Sequence, residues 1–168
     1  MTLLFALLMM AAEARDNTPA LQAAQPWMGT PYQWGGRGTA SHPGMDCLGI
    51  LFRAYGAVDG VPWTAYAVNP SELVASGRLG QPVPGLSGIE RGRINLEDLK
   101  PGDVLYFLIE GHEIPDAPLH VEGDARFWPW HTGMYVRDGT VLHAAPGDVV
   151  TVQPLDEIPF DRLLVTRP

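Results

Sequence analysis

From Cys47 onward the apolar residues Leu48, Leu51, Phe52 and Tyr55 recur at intervals of three and four. That spacing predicts a half-buried helix, ended by Gly56 or Gly60. Upstream, Thr18-Pro19 reads as a cap followed by proline in the first turn, opening a helix that runs to about Met28. Residues 29–44, GTPYQWGGRGTASHPG, form a Gly- and Pro-rich loop between the two. Periodicity is weak over residues 67–98, which predicts mostly loop with a short helix near Pro70–Ser76. Further on, LKPGDVLYFL (99–108) predicts a turn and a strand. HTGMYV (131–136), TVLHAA (140–145) and VVTVQPL (149–155) predict three more strands. The polar, proline-broken stretch 109–130 reads as a long excursion between strands. Helices come first and strands after, so the expected class is α+β: N-terminal helices, one with a cysteine at its start, against a central antiparallel sheet.

The length of 168 residues and mass of 18.3 kDa suit one domain with a core of its own. A hydrophobic fraction of 46% and a charged fraction of 18% are those of a globular chain. The net charge of -8 argues against nucleic acid as a partner and against a polybasic membrane anchor. The first residues, MTLLFALLMMAAEA, are an apolar run that ends in the small-x-small pattern Ala12-Glu13-Ala14. The run is too short to span a membrane and has no Lys or Arg before it. Residues 1–14 are therefore expected to be a leader, either a cleaved export signal or an ordinary N-terminal helix, with one domain over 15–168. A cleaved signal would send the protein to the periplasm or cell envelope; otherwise it would be cytoplasmic.

Cys47 is the chain's one cysteine, which excludes an internal disulfide, a zinc ribbon and a CxxC redox pair. Asp46 before it is a plausible helix cap. A thiol in the first turn meets free backbone N–H groups and the positive end of the helix dipole, so a thiolate at neutral pH is expected. The other reading is a buried structural cysteine. Among the histidines, His42, His112, His120, His131 and His143, two fall on adjacent predicted strands. A two-residue Asp-Gly turn would point His131 and His143 to opposite faces. A three-residue loop, Arg137-Asp138-Gly139 with Gly139 left-handed, pairs 136 with 140 and puts both histidines on one face as diagonal neighbours. That register permits a Cys–His–His relay; two unrelated sheet histidines are the alternative.

GTPYQWGG, GMDCLGILFRAYG, VPWTAY, LKPGDVLYF, HTGMYV and TVLHAA, in that order from about Ala20 to Asp156, resemble the NlpC-type cell-wall cysteine peptidases. Those are papain-like enzymes that cut γ-D-glutamyl bonds to diaminopimelate in peptidoglycan. The resemblance implies a papain-like fold and peptidoglycan stem peptides as partners; no cofactor or metal is expected. It makes Cys47 the nucleophile, His131 the general base and His143 the residue that orients it. Tyr32 would stand near the oxyanion site, and Asp46 would line the subsite for a free amine. Trp34, Thr64 and Tyr66 would contact substrate. Without the resemblance, Tyr32 is loop packing against Trp34 and Asp46 is a cap. Two positions depart from the family: Leu48 stands where serine is usual, and Trp63 where arginine is frequent. These departures put peptide specificity in question, and an aliphatic residue after the cysteine is similar to the phage-tail and gene-transfer-agent branch. A papain-like hydrolase or acyltransferase on another amide or ester, and an inactive binding module, stay open.

The 109–130 excursion carries Glu110, His112, Glu113, Asp116, His120, Glu122 and Asp124 in no known metal-ligand spacing. It is expected to be a solvated loop over one rim of the cleft, offering carboxylates to an amine-bearing peptide. FWPW (127–130) either packs beneath that loop or forms an apolar cleft wall.

Overall fold

The computed structural model describes residues 17–111 and 114–168. The leader expected over residues 1–14, together with His112 and Glu113, lies outside them. Helix α1 (Thr18–Ala24) starts one residue earlier in role than expected: Asn17 holds the cap position without a side-chain bond, and Thr18 is already helical. Pro26 has no amide to continue an α ladder, and the path to Met28 is completed by a 3-10 turn, Gln25–Trp27. Helix α2 (Cys47–Asp59) follows the apolar spacing and ends at Gly60. Helix α3 (Pro70–Ser76) lies where it was expected, capped by the Asn69 side chain, which accepts from the amides of Ser71 and Glu72.

Seven strands form one antiparallel sheet: β1 (Gln81–Glu90), β2 (Val104–Glu110), β3 (His120–Glu122), β4 (Ala125–Tyr135), β5 (Thr140–Ala144), β6 (Val150–Pro154) and β7 (Arg162–Arg167). The order is β1-β7-β2-β4-β5-β6, with β3 paired to β4. Three features differ from expectation. Residues 81–90 are an edge strand, not loop. Their prolines and glycines are tolerated because one long side is unpaired and the register with β7 shifts twice. Strand β7 enters the sheet between β1 and β2. Most of the 109–130 excursion is also strand. β4 begins at Ala125 and carries FWPW through a register shift, where Phe107 pairs with His131 and Leu108 with Pro129, leaving Trp130 bulged.

Both sheet faces are covered, so β2 reads as a continuous apolar run. Val104, Tyr106 and Leu108 pack with Met134, Leu164 and the α2 residues Leu51, Phe52 and Tyr55. On the other face Leu105 and Phe107 meet Tyr135, Val141 and Val165 beneath Leu155, Ile158 and Phe160. The β4–β5 hairpin has the three-residue loop: the Val136 amide donates to the Thr140 carbonyl, and Met134 pairs with Leu142. Gly139 is left-handed at φ 72, and Asp138 also has positive φ, 49.

Candidate active site

The start of α2 is fixed by its cap and by close backbone packing. Asp46 accepts from the Gly49 amide at 2.7 Å. A Cβ on Gly49 would fall 2.3 Å from the Gly36 carbonyl, so glycine lets the first turn of α2 press against the 29–44 loop. The same loop delivers Arg37, whose guanidinium donates to that same carboxylate oxygen, Oδ1, at 2.5 Å. Gly35 donates a further backbone bond to Asp46 at 3.0 Å. Both charged side chains are buried. Arg37 also lies 5.4 Å over the Phe52 ring and 5.8 Å over Trp63.

Cys47 opens into a cleft of about 520 Å³ whose walls include Trp34, Arg37, Asp46, Leu48, Val68, Asp116, Trp130 and His131. A larger hollow of about 650 Å³, bounded by Arg91, Leu96, Gly139 and Phe160, holds no cysteine or histidine, so the chemistry belongs to the smaller one. The thiol rests against β4: backbone N–H groups of Thr132 and Leu48 and the Thr132 hydroxyl favour its charged form. That hydroxyl also donates to the Cys47 carbonyl at 3.0 Å. Burial outweighs these contacts, and the Asp46 charge adds to it, so the thiol pKa is raised. This differs from the expected neutral-pH thiolate: the helix start is present, but partial burial of the sulfur and the Asp46 charge outweigh it.

His131 is sandwiched between Phe107 and Trp130, with ring centres 5.7 Å and 5.0 Å away. Its Nε2 lies 2.6 Å from Nδ1 of His143, and Nε2 of His143 lies 2.9 Å from Oε1 of Gln153. The same-face register argument therefore describes the two histidines as they stand. Burial, with a smaller contribution from His143, pulls the His131 pKa down to about 3. Burial also lowers that of His143. Both rings are neutral at pH 7.

Tyr32 lies within electrostatic reach of Cys47 and Asp46, and burial followed by those two charges pushes its pKa up to about 12. It stays a hydroxyl donor. Trp34 lines the cleft but is 84% exposed, a free aromatic face. Thr64 and Tyr66 are not among the lining residues: Thr64 is exposed on the 3-10 turn Trp63–Ala65, and Tyr66 is in the core, stacked 5.0 Å from Phe52. The excursion divides between two roles. Asp116 reaches the cleft, held by Trp128 Nε1 donating to its carbonyl at 2.7 Å, whereas Glu122 pairs with Arg162 away from it. FWPW divides too, with Phe127 and Trp128 buried and Pro129 and Trp130 in the wall. Among the described residues, no group of three His, Cys, Asp or Glu side chains is placed to hold a metal, and no helix is long and apolar enough to cross a membrane. Sequence reasoning missed Arg37, Thr132 and Gln153. Of these, only Gln153 left a signal, two residues from Thr151 on an alternating strand.

A cysteine at a helix start, in a cleft also lined by a histidine that is hydrogen-bonded to a second one, is the arrangement to compare with known proteins, and the family model described as NlpC/P60 family matches residues 29–166. The chain belongs to the NlpC/P60 family. It is 32% identical over 142 residues to a Mycobacterium tuberculosis protein named "Probable endopeptidase", covering 84% of this chain and 27% of that one. It is 27% identical over 145 residues to the gamma-D-glutamyl-L-lysine dipeptidyl-peptidase of Bacillus subtilis, covering 86% and 38%. The chain thus spans well under half of these relatives' length. Among solved structures, the peptidoglycan hydrolase RipB of M. tuberculosis superposes with a TM-score of 0.56 at 22% identity, covering 90% of this chain and 63% of that one. RipD of the same organism, described as a non-catalytic NlpC/p60 domain protein adapted to peptidoglycan binding, gives 0.54 at 17% identity, covering 90% and 95%. These likenesses establish the papain-like α+β fold of the NlpC/P60 domains.

Proposed function

We propose that this chain is a cysteine peptidase that hydrolyses amide bonds in peptidoglycan stem peptides, of the γ-D-glutamyl-diaminopimelate type. The observation that carries the reading is the His131–His143 hydrogen bond, at 2.6 Å, beside a cleft that also contains the Cys47 thiol. With both partners neutral at rest, the His131 ring takes the thiol proton as sulfur attacks the scissile carbonyl. The Tyr32 hydroxyl and the Cys47 amide are the donors for the developing oxyanion. The C–N bond then breaks, His131 returns the proton to the leaving amine, and water hydrolyses the thioester. His143 holds the His131 ring in place.

One observation favours a second reading. The Asp46 charge is already paired with Arg37, and its carboxylate also accepts from Gly35 and Gly49, so its pull on a substrate amine is weakened. With Leu48 in place of a hydroxyl, this supports an acyl substrate without a free amine next to the scissile bond. Digestion of purified diaminopimelate-type muropeptides by wild type and Cys47→Ala, with products identified by mass spectrometry, tests both. Cleavage after γ-D-glutamate that vanishes in the variant supports the first reading. A folded wild type that leaves every muropeptide intact overturns it.

A further inference from the structure

Gln153 is the end of the polar row that starts at His131 in the cleft, and it has a chemical property the two histidines lack. A neutral imidazole carries its proton on either nitrogen and so can point a hydrogen bond in either direction. An amide oxygen can only accept. Gln153 lies across from Val141 on β6, and Thr151 lies across from His143, so Gln153 reaches His143 diagonally along one face of the sheet. Its Oε1 is 2.9 Å from His143 Nε2, which must therefore be the protonated nitrogen. Nδ1 of the neutral His143 is then a lone pair, and the 2.6 Å contact requires His131 Nε2 to donate to it. The remaining nitrogen of His131, Nδ1, is left without a proton.

From this we infer that Gln153 is a positioning residue: by accepting from His143 it sets the proton order of the whole row and leaves His131 Nδ1 as the free base. The inference rests on His131 acting as the base in the reading above. With the amide reversed, an N–H would face His143 and the row would run the other way. His131 Nδ1 would then carry the proton and could not take one from the thiol. Which amide atom faces the ring therefore decides whether the resting site can begin the reaction.

The test reads the tautomer directly, in Cys47→Ala protein without substrate, by two-bond nitrogen–proton correlation spectra of 15N-labelled histidine. His131 is expected as the Nε2–H tautomer when Gln153 is intact. Gln153→Leu removes the directing acceptor, and the His131 signals should move toward a tautomer mixture. Gln153→Glu keeps an acceptor and should keep the Nε2–H form. In the Cys47-containing protein, Gln153→Leu should lower kcat about tenfold with little change in KM, and Gln153→Glu should restore most of it. An Nδ1–H tautomer with Gln153 intact overturns the inference, as does a Leu variant whose His131 tautomer is unchanged. Absence of muropeptide cleavage would overturn the peptidase reading alone, because the tautomer is observed without turnover.

Discussion

On the helix side of the cleft, the Asp46 carboxylate accepts from a helix amide, a loop amide and the Arg37 guanidinium, and the two charged side chains are buried together. On the sheet side, the row from Gln153 through His143 to His131 holds no formal charge at pH 7 and ends on a ring nitrogen at the cleft. The Cys47 thiol stands between a charged cluster that is closed and a neutral one that is open-ended. A closed ion pair fixes geometry: it locks the start of α2 to the 29–44 loop. A neutral, directional row can accept a proton and pass it on. The contrast separates what holds the nucleophile from what activates it, although both clusters are buried and polar.

The comparison breaks most sharply at Arg37. Arg37→Met leaves the Asp46 charge buried with backbone donors alone, and stability should fall by about 3 kcal/mol. Arg37→Met combined with Asp46→Asn removes the orphaned charge and keeps an amide that can cap α2, so it should recover much of that loss. Urea unfolding of the three proteins checks it. If the single variant is as stable as wild type, the pair contributes nothing to holding α2 in place.

The sheet side should respond to pH instead. His131 is neutral when folded and titrates near 6.5 when unfolded, so below about 6.5 the unfolded chain binds the extra proton. Stability contributed by its neutral form is present above that pH. It is lost on acidification toward the folded value, at up to about 1.4 kcal/mol per pH unit. His143 acts in the same direction. Unfolding free energies at pH 7, 6 and 5 should therefore fall less steeply in His131→Gln than in wild type. Equal slopes would mean that the folded His131 takes up its proton as readily as the unfolded one.

How far each side could be read from the sequence follows from the same contrast. The histidine row was legible because strand alternation and a three-residue loop ending in Gly139 fix the register locally. The α2 start was legible through Asp46 and the run of Leu48, Leu51, Phe52 and Tyr55. Arg37 was not, because a Gly-rich loop has no period, and its meeting with Asp46 depends on backbone packing such as Gly49 against Gly36. β7 was missed inside the edge strand β1 because its partners β1 and β2 are remote in sequence, so no turn signal announces the pairing. Trp130 and Pro129 entered the cleft wall through a bulge, which places them outside simple alternation. Thiol protonation was misjudged for a related reason: the helix start is visible in sequence, whereas burial of the sulfur is a tertiary property.

The thiol itself gives the finest test, since it responds to both clusters at once. In the empty cleft, burial and the Asp46 charge raise its pKa, while Thr132 and the Leu48 amide oppose them. Alkylation of Cys47 by iodoacetamide should therefore reach half its maximal rate at a pH above that of an ordinary thiol. Asp46→Asn removes the negative charge and leaves Arg37 beside the site, so the midpoint should move down. Thr132→Val removes the hydroxyl that favours the thiolate, and the midpoint should move up. A wild-type midpoint below neutrality would mean that an ion pair with His131 already exists without substrate, and the sheet side would then be charged at rest. Midpoints displaced in opposite directions by the two variants would instead place the thiol under joint control. The Asp46 cluster would keep it protonated, and the proton would leave only when a bound acyl group draws the sulfur toward reaction.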